Sequence, residues 1–103
     1  MEFSKRKWGW YLTLFSDERR KIKLLYFKKR GELSLQRHFK RSEKWHFLFG
    51  SGTFILNGYS ISRPSVAHVG IGSWHQYKAN SPTLVLEVQY GICEESDIER
   101  RAA

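Results

Sequence analysis

The sequence has one cysteine, Cys93, so no disulfide framework can staple its fold. Scarce cysteine also fits a reducing compartment. No apolar run approaches the roughly 18–20 residues that a membrane-crossing helix needs. The basic N-terminal stretch is not followed by the apolar segment of a secretory leader, and the expected location is therefore the cytoplasm. Internal repeats and low-complexity linkers are missing as well. Acidic residues are scarce in the first part of the chain, where residues 1–44 hold 14 Lys/Arg against five Asp/Glu.

The 103 residues that remain to be explained are enough for one domain, 1–103, with a modest core. Apolar residues make up 41% and aromatics 16%, too many for a disordered chain. The net charge of +8 lies wholly in the first part, because residues 45–103 carry four Lys/Arg against five Asp/Glu. Such asymmetry fits an anionic partner, and it also fits solvated strand edges that use lysine to discourage edge pairing.

The chain reads as short strand-like runs split by turn residues. Candidate strands are 10–15, 22–27, 33–38, 45–49, 53–56, 59–62, 66–69, 74–78 and 83–90. Asn57-Gly58 is the strongest hairpin signal, since both central residues of a type I′ turn need positive φ. Residues 94–101 alone read as helical, with acids first and arginines last. Eight or nine short strands predict an all-β fold, a small antiparallel barrel or sandwich, and closure is the favoured arrangement because it removes edges.

Gln36 and His38 lie two apart on a predicted strand and so share one face. Glu43 follows a short bend, and His75 follows a glycine turn. In a barrel the four can converge on a divalent ion such as Zn, Mn, Fe, Co or Ni. A strand histidine can equally be a hydrogen-bonded structural residue, and spacing alone does not separate the two.

Two stretches sharpen this reading. Gly31 to Gly50, with Gln36, His38 and Arg41-Ser42-Glu43-Lys44-Trp45, resembles the first cupin motif. Gly72-Ser73-Trp74-His75 resembles the second. Further matches are Trp8-Gly9-Trp10-Tyr11, Lys21-Ile22-Lys23, Gly52-Thr53, Glu87-Val88-Gln89 and Glu94-Glu95-Ser96-Asp97-Ile98-x-Arg100. Together they span residues 8–100 and resemble the C-terminal cupin domain of type II phosphomannose isomerases, often fused to mannose-1-phosphate guanylyltransferase. The resemblance implies a cupin (double-stranded β-helix, jelly-roll type) fold, with Gln36, His38, Glu43 and His75 as metal ligands. It departs where Phe39 and Lys40 replace a histidine cluster, and at Gly70-Ile71-Gly72 and Gln76.

The implied activity is isomerisation of mannose 6-phosphate and fructose 6-phosphate. That chemistry needs a proton carrier, a Lewis acid and a cationic phosphate clamp. Glu87 and Lys23 are the catalytic candidates, and Arg41, Arg37 and Lys40 the substrate-binding ones. An accessory cupin that binds a sugar or sugar nucleotide without turnover is the alternative. Basic runs at Lys5-Arg6-Lys7, Arg19-Arg20-Lys21 and Lys28-Lys29-Arg30 come with no groove-reading motif, so nucleic acid is not the expected partner. Trp8, Trp10 and Tyr11 are apolar enough for a second copy to cover, which predicts a homodimer.

Overall fold

The computed structural model describes residues 1–101. Its strands are β1 (Glu2–Arg6), β2 (Gly9–Ser16), β3 (Arg20–Phe27), β4 (Leu35–Arg37), β5 (Arg41–Phe49), β6 (Gly52–Leu56), β7 (Tyr59–Ser62), β8 (Val66–Val69), β9 (His75–Ala79), β10 (Thr83–Gly91) and β11 (Glu99–Arg101). They form two antiparallel sheets, ordered β1-β2-β3-β10-β5-β8 and β11-β4-β9-β6-β7. This is the small all-β sandwich expected, without the full closure, because each sheet keeps its own edge strands. Among the described residues no helix is long and apolar enough to cross a membrane.

Strand parity builds the interior. Along β10 the residues Thr83, Val85, Glu87 and Gln89 are buried, while Leu84, Leu86 and Val88 lie on the other face. The register places Leu25 beside Val85 and Lys23 beside Glu87 on one side of β10. On the other side Phe47 pairs with Val85, Trp45 with Glu87 and Glu43 with Gln89. Neighbouring strands thus change character at the same level, and the space between the sheets has an apolar end and a polar end.

The apolar end is aromatic. Phe27, Phe54 and Val85 are wholly buried, with Trp45 and Tyr77 nearly so. Phe27 meets the edge of Tyr77 at 4.9 Å and Trp45 meets Phe54 at 5.1 Å between ring centroids. Gly52 makes room for this cluster, since a Cβ there would lie 2.3 Å from the Tyr77 hydroxyl. Asn57 (φ 48°) and Gly58 (φ 85°) make the predicted positive-φ turn between β6 and β7.

Two expectations are corrected. β1 was not expected as a strand; its alternate residues are mostly exposed, so no apolar alternation marks it. Residues 94–101 form no helix, but a turn closed by Asp97 N–H donating to Glu94 C=O at 3.1 Å, followed by β11. An eight-residue segment has little intrinsic helicity, and tertiary partners capture its acids: Glu99 pairs with Arg37 and Asp97 with the backbone at Phe39 and Lys40. Trp8 and Tyr11 line a cavity inside the sandwich. Trp10 stacks on Tyr26 of the next strand, at 5.4 Å.

Candidate metal centre

β4 ends at Arg37, and the chain bends through Phe39 and Lys40 into β5. The Asp97 carboxylate fixes that bend by accepting the Phe39 N–H at 2.9 Å and the Lys40 N–H at 2.8 Å. His38 is thereby turned inward on the bend, Glu43 projects from β5, and His75 opens β9 opposite Gln36. His38, Glu43 and His75 are each at most 3% exposed. They can offer one ligand atom each, all within 4.8 Å of one another.

The two imidazoles are oriented alike. His38 Nδ1 lies 2.7 Å from the Asp97 carbonyl and His75 Nδ1 lies 3.1 Å from the Ser73 carbonyl. A carbonyl only accepts, so each Nδ1 carries hydrogen and each Nε2 is turned toward Glu43. The separations are 3.3 Å from His38 Nε2 to Glu43 Oε2 and 3.4 Å from His75 Nε2 to Glu43 Oε1. Main-chain carbonyls that orient imidazoles in this way are typical of metal-ligating histidines.

Around this triad the polar contacts are dense. Arg41 Nε donates to Glu43 Oε2 at 2.9 Å, and Trp45 Nε1 donates to Glu43 Oε1 at 3.0 Å. Burial opposes ionisation of Glu43, but the His75 hydrogen bond and the charges of His75, Arg41 and His38 outweigh it and hold the carboxyl well below the carboxylate range. Burial would also lower His75, yet its hydrogen bond to Glu43 and the charge there raise it. At His38 burial prevails over Glu43, with Arg41 adding to it, and the imidazole titrates lower than usual.

Gln36 shares a cavity of about 120 Å³ with His38, Arg41, Lys23, Glu87 and Gln89. Its amide nitrogen donates to Ser34 Oγ at 3.1 Å, which leaves the carbonyl oxygen as the atom it can offer. Glu87 is buried, and burial first, then the charge of Glu43, pushes its carboxyl up to about 8. Arg37 and Lys40 are not brought to the cavity. Arg37 has the opposite parity, pairs with Glu99 at 2.7 Å and lies over the Trp74 ring at 4.6 Å. Lys40 is exposed and pairs with Glu94 at 3.3 Å. Arg41 does line the cavity, but its guanidinium is engaged with Glu43 and His38.

Two contributors were not singled out from sequence. Gln89 holds Glu87 through Nε2–H to Oε1 at 2.7 Å, and its own Oε1 is buried without a partner. Its parity with Glu87 was the available signal. Asp97 had none, because its partners lie 57 to 59 residues away. Only two of the three basic runs come together: Arg6 pairs with Gly9 and Gly9 with Phe27, so 5–7 and 28–30 share one end of the sheet, while 19–21 lies at the other end of the eight-residue β3, about 25 Å away.

The "Mannose-6-phosphate isomerase C-terminal" family model matches residues 2–102. A mannose-1-phosphate guanylyltransferase of Klebsiella pneumoniae is 30% identical over 100 residues, which is 92% of this chain but only 21% of that protein. The chain thus spans about a fifth of the length of such curated relatives. Among solved structures, the capsular polysaccharide assembling protein CapF of Staphylococcus aureus superposes with a TM-score of 0.83 at 12% identity, over 99% of this chain and 32% of that one. An RmlC-like cupin protein of Desulfovibrio desulfuricans gives 0.70 at 25% identity, over 78% and 79%. The chain is a cupin and belongs to the mannose-6-phosphate isomerase C-terminal family.

Proposed function

We propose that the protein is a divalent-metal-dependent sugar-phosphate isomerase acting on the pair mannose 6-phosphate and fructose 6-phosphate. The observation that carries this reading is that His38, one member of the oriented His38–Glu43–His75 triad, lines the same cavity as a buried, proton-retaining Glu87. His38, Glu43 and His75 would hold the ion, with the Gln36 carbonyl oxygen as a fourth donor. This nitrogen and oxygen set suits Zn, Mn, Fe, Co or Ni. The chemistry that such an ion supplies when bound is Lewis acidity toward a sugar oxygen.

The chain's own groups account for the proton. Isomerisation moves one between C2 and C1 of the sugar, and an efficient carrier titrates near the working pH. Glu87, raised to about 8, meets that condition. Gln89 orients its carboxyl, and Lys23, its cross-strand partner, favours the ionised form. Trp8, Trp45 and Leu25 give the same cavity an apolar side that limits water.

A second reading is a cupin that binds a sugar or sugar nucleotide without turning it over. It is favoured by the departures from the resembled family, with Phe39 and Lys40 where that family has a histidine cluster and Gln76 where it has a basic residue. Mixing metal-loaded protein with mannose 6-phosphate and following the sugar by NMR separates the two. Formation of fructose 6-phosphate supports the isomerase; binding without conversion supports the binder.

A further inference from the structure

Lys23 presents a problem of charge. Its side chain is 6% exposed, yet among the described residues its only carboxylate partner within ion-pair distance is Glu95, whose side chain is 56% exposed. The ammonium bonds Glu95 Oε1 at 2.8 Å and lies 4.2 Å from the centre of the Tyr11 ring. Lys21 reaches the same oxygen at 3.1 Å. A buried ammonium requires an anion, whereas an exposed carboxylate gains little from any one cation. Against its burial, Lys23 and Lys21 together hold the Glu95 carboxyl down at about 2, so an anion that displaces it must carry more charge.

Glu95 sits on the segment between β10 and β11 that crosses the cavity mouth. That segment is anchored elsewhere, by buried Asp97 at the Phe39–Lys40 bend and by Gly91, whose N–H donates to the Arg19 carbonyl at 2.9 Å. Release of Glu95 leaves those anchors in place. Arg6 and Arg100 line the same cavity and have no carboxylate partner among the described residues. The mouth thus holds more cationic charge than Glu95 neutralises, and deeper in, Gln89 Oε1 is a buried acceptor with no donor.

We infer that Lys21 and Lys23, with Arg6 and Arg100, form a subsite for the phosphate monoester of the substrate, and that the Glu95 carboxylate is its built-in occupant. The inference rests on the sugar-phosphate reading but places the phosphate at the mouth, away from Arg41. A phosphate dianion brings more charge than Glu95 and displaces it outward. The sugar hydroxyls then face Gln89 and Glu87.

Calorimetry with inorganic phosphate on metal-free protein tests this independently of metal loading and turnover. Glu95→Gln, which removes the competitor, is expected to bind phosphate about tenfold tighter than the parent. Lys23→Met, which keeps the aliphatic stem over Tyr11, is expected to lose binding by at least about tenfold, and Lys21→Gln to weaken it if Lys23→Met fails to fold. Equal affinity in parent and Glu95→Gln, or binding indifferent to the lysine substitutions, overturns the subsite. Phosphate binding that behaves as expected in a protein that does not convert mannose 6-phosphate retires the isomerase reading and leaves the subsite standing.

Discussion

Arg41 donates from Nη2 to His38 Nε2 at 3.2 Å, the same lone pair that His38 would give to a metal. With its Nε on Glu43 Oε2, this guanidinium is a resident cation among the ligand atoms. Binding of a divalent ion must compete with it. Arg41→Met is therefore expected to tighten divalent-ion binding by about tenfold in calorimetry of the stripped protein. The metal-free variant should be less stable by about 3–5 kcal/mol, since Glu43 loses a buried partner. Unchanged metal affinity would remove Arg41 from this role.

The ligands and their supports should separate by magnitude. His38→Ala removes one of three clustered donors and is expected to abolish stoichiometric metal binding while circular dichroism still reports the β-sandwich. Asp97→Ala leaves the donors but frees the bend that aims His38, and should cost about 10–100-fold in affinity. Elemental analysis and competition titration distinguish them. Equal effects from the two would mean that the bend does not orient the ligand.

Glu87 makes a pH prediction with a definite sign. In the unfolded chain its proton leaves near 4.5; in the folded protein it is kept until about 8. Between those values the folded state binds the extra proton, so this residue makes stability fall as pH rises, by about 1.4 kcal/mol per unit. Glu87→Gln removes the slope. Urea denaturation of both metal-free proteins should show the variant gaining on the parent from pH 4.5 upward and levelling off above about 8. A difference independent of pH would show that Glu87 is not held protonated.

Packing at the apolar end supplies a check on the fold. Phe27 is wholly buried between Trp8 and Tyr77, with centroid distances of 4.5 and 4.9 Å. Phe27→Ala is expected to cost about 3–5 kcal/mol in denaturant unfolding. A loss below about 1 kcal/mol would mean that the aromatic cluster is not the core.

What could be read from the sequence follows from how local each signal is. Parity along β10 gave the inward Glu87, and positive φ gave the Asn57-Gly58 turn, whereas His38 lies past the end of β4 and is turned inward by the bend rather than by strand parity with Gln36. Parity also counted against Arg37, whose side chain is outside the cavity. Tertiary capture was not legible. Residues 94–101 carry the charge order of a helix, yet Asp97 is taken by the Phe39–Lys40 bend and Glu95 by two lysines of β3. Arg41 looked like a rim residue because arginine suits phosphate, but its start on β5 turns it inward onto Glu43. That Trp8 and Tyr11 line a cavity was not legible either, because the residues they share it with come from distant parts of the chain.

The most direct test of the account is turnover by the metal-loaded full chain. Mannose 6-phosphate is added to the protein in deuterated water, and the sugar is followed by proton NMR, with His38→Ala and Glu87→Gln as controls. The account predicts that fructose 6-phosphate forms with the parent protein, that His38→Ala is inactive, and that Glu87→Gln loses turnover while still binding metal. Absence of any conversion by protein with a full complement of metal would contradict it.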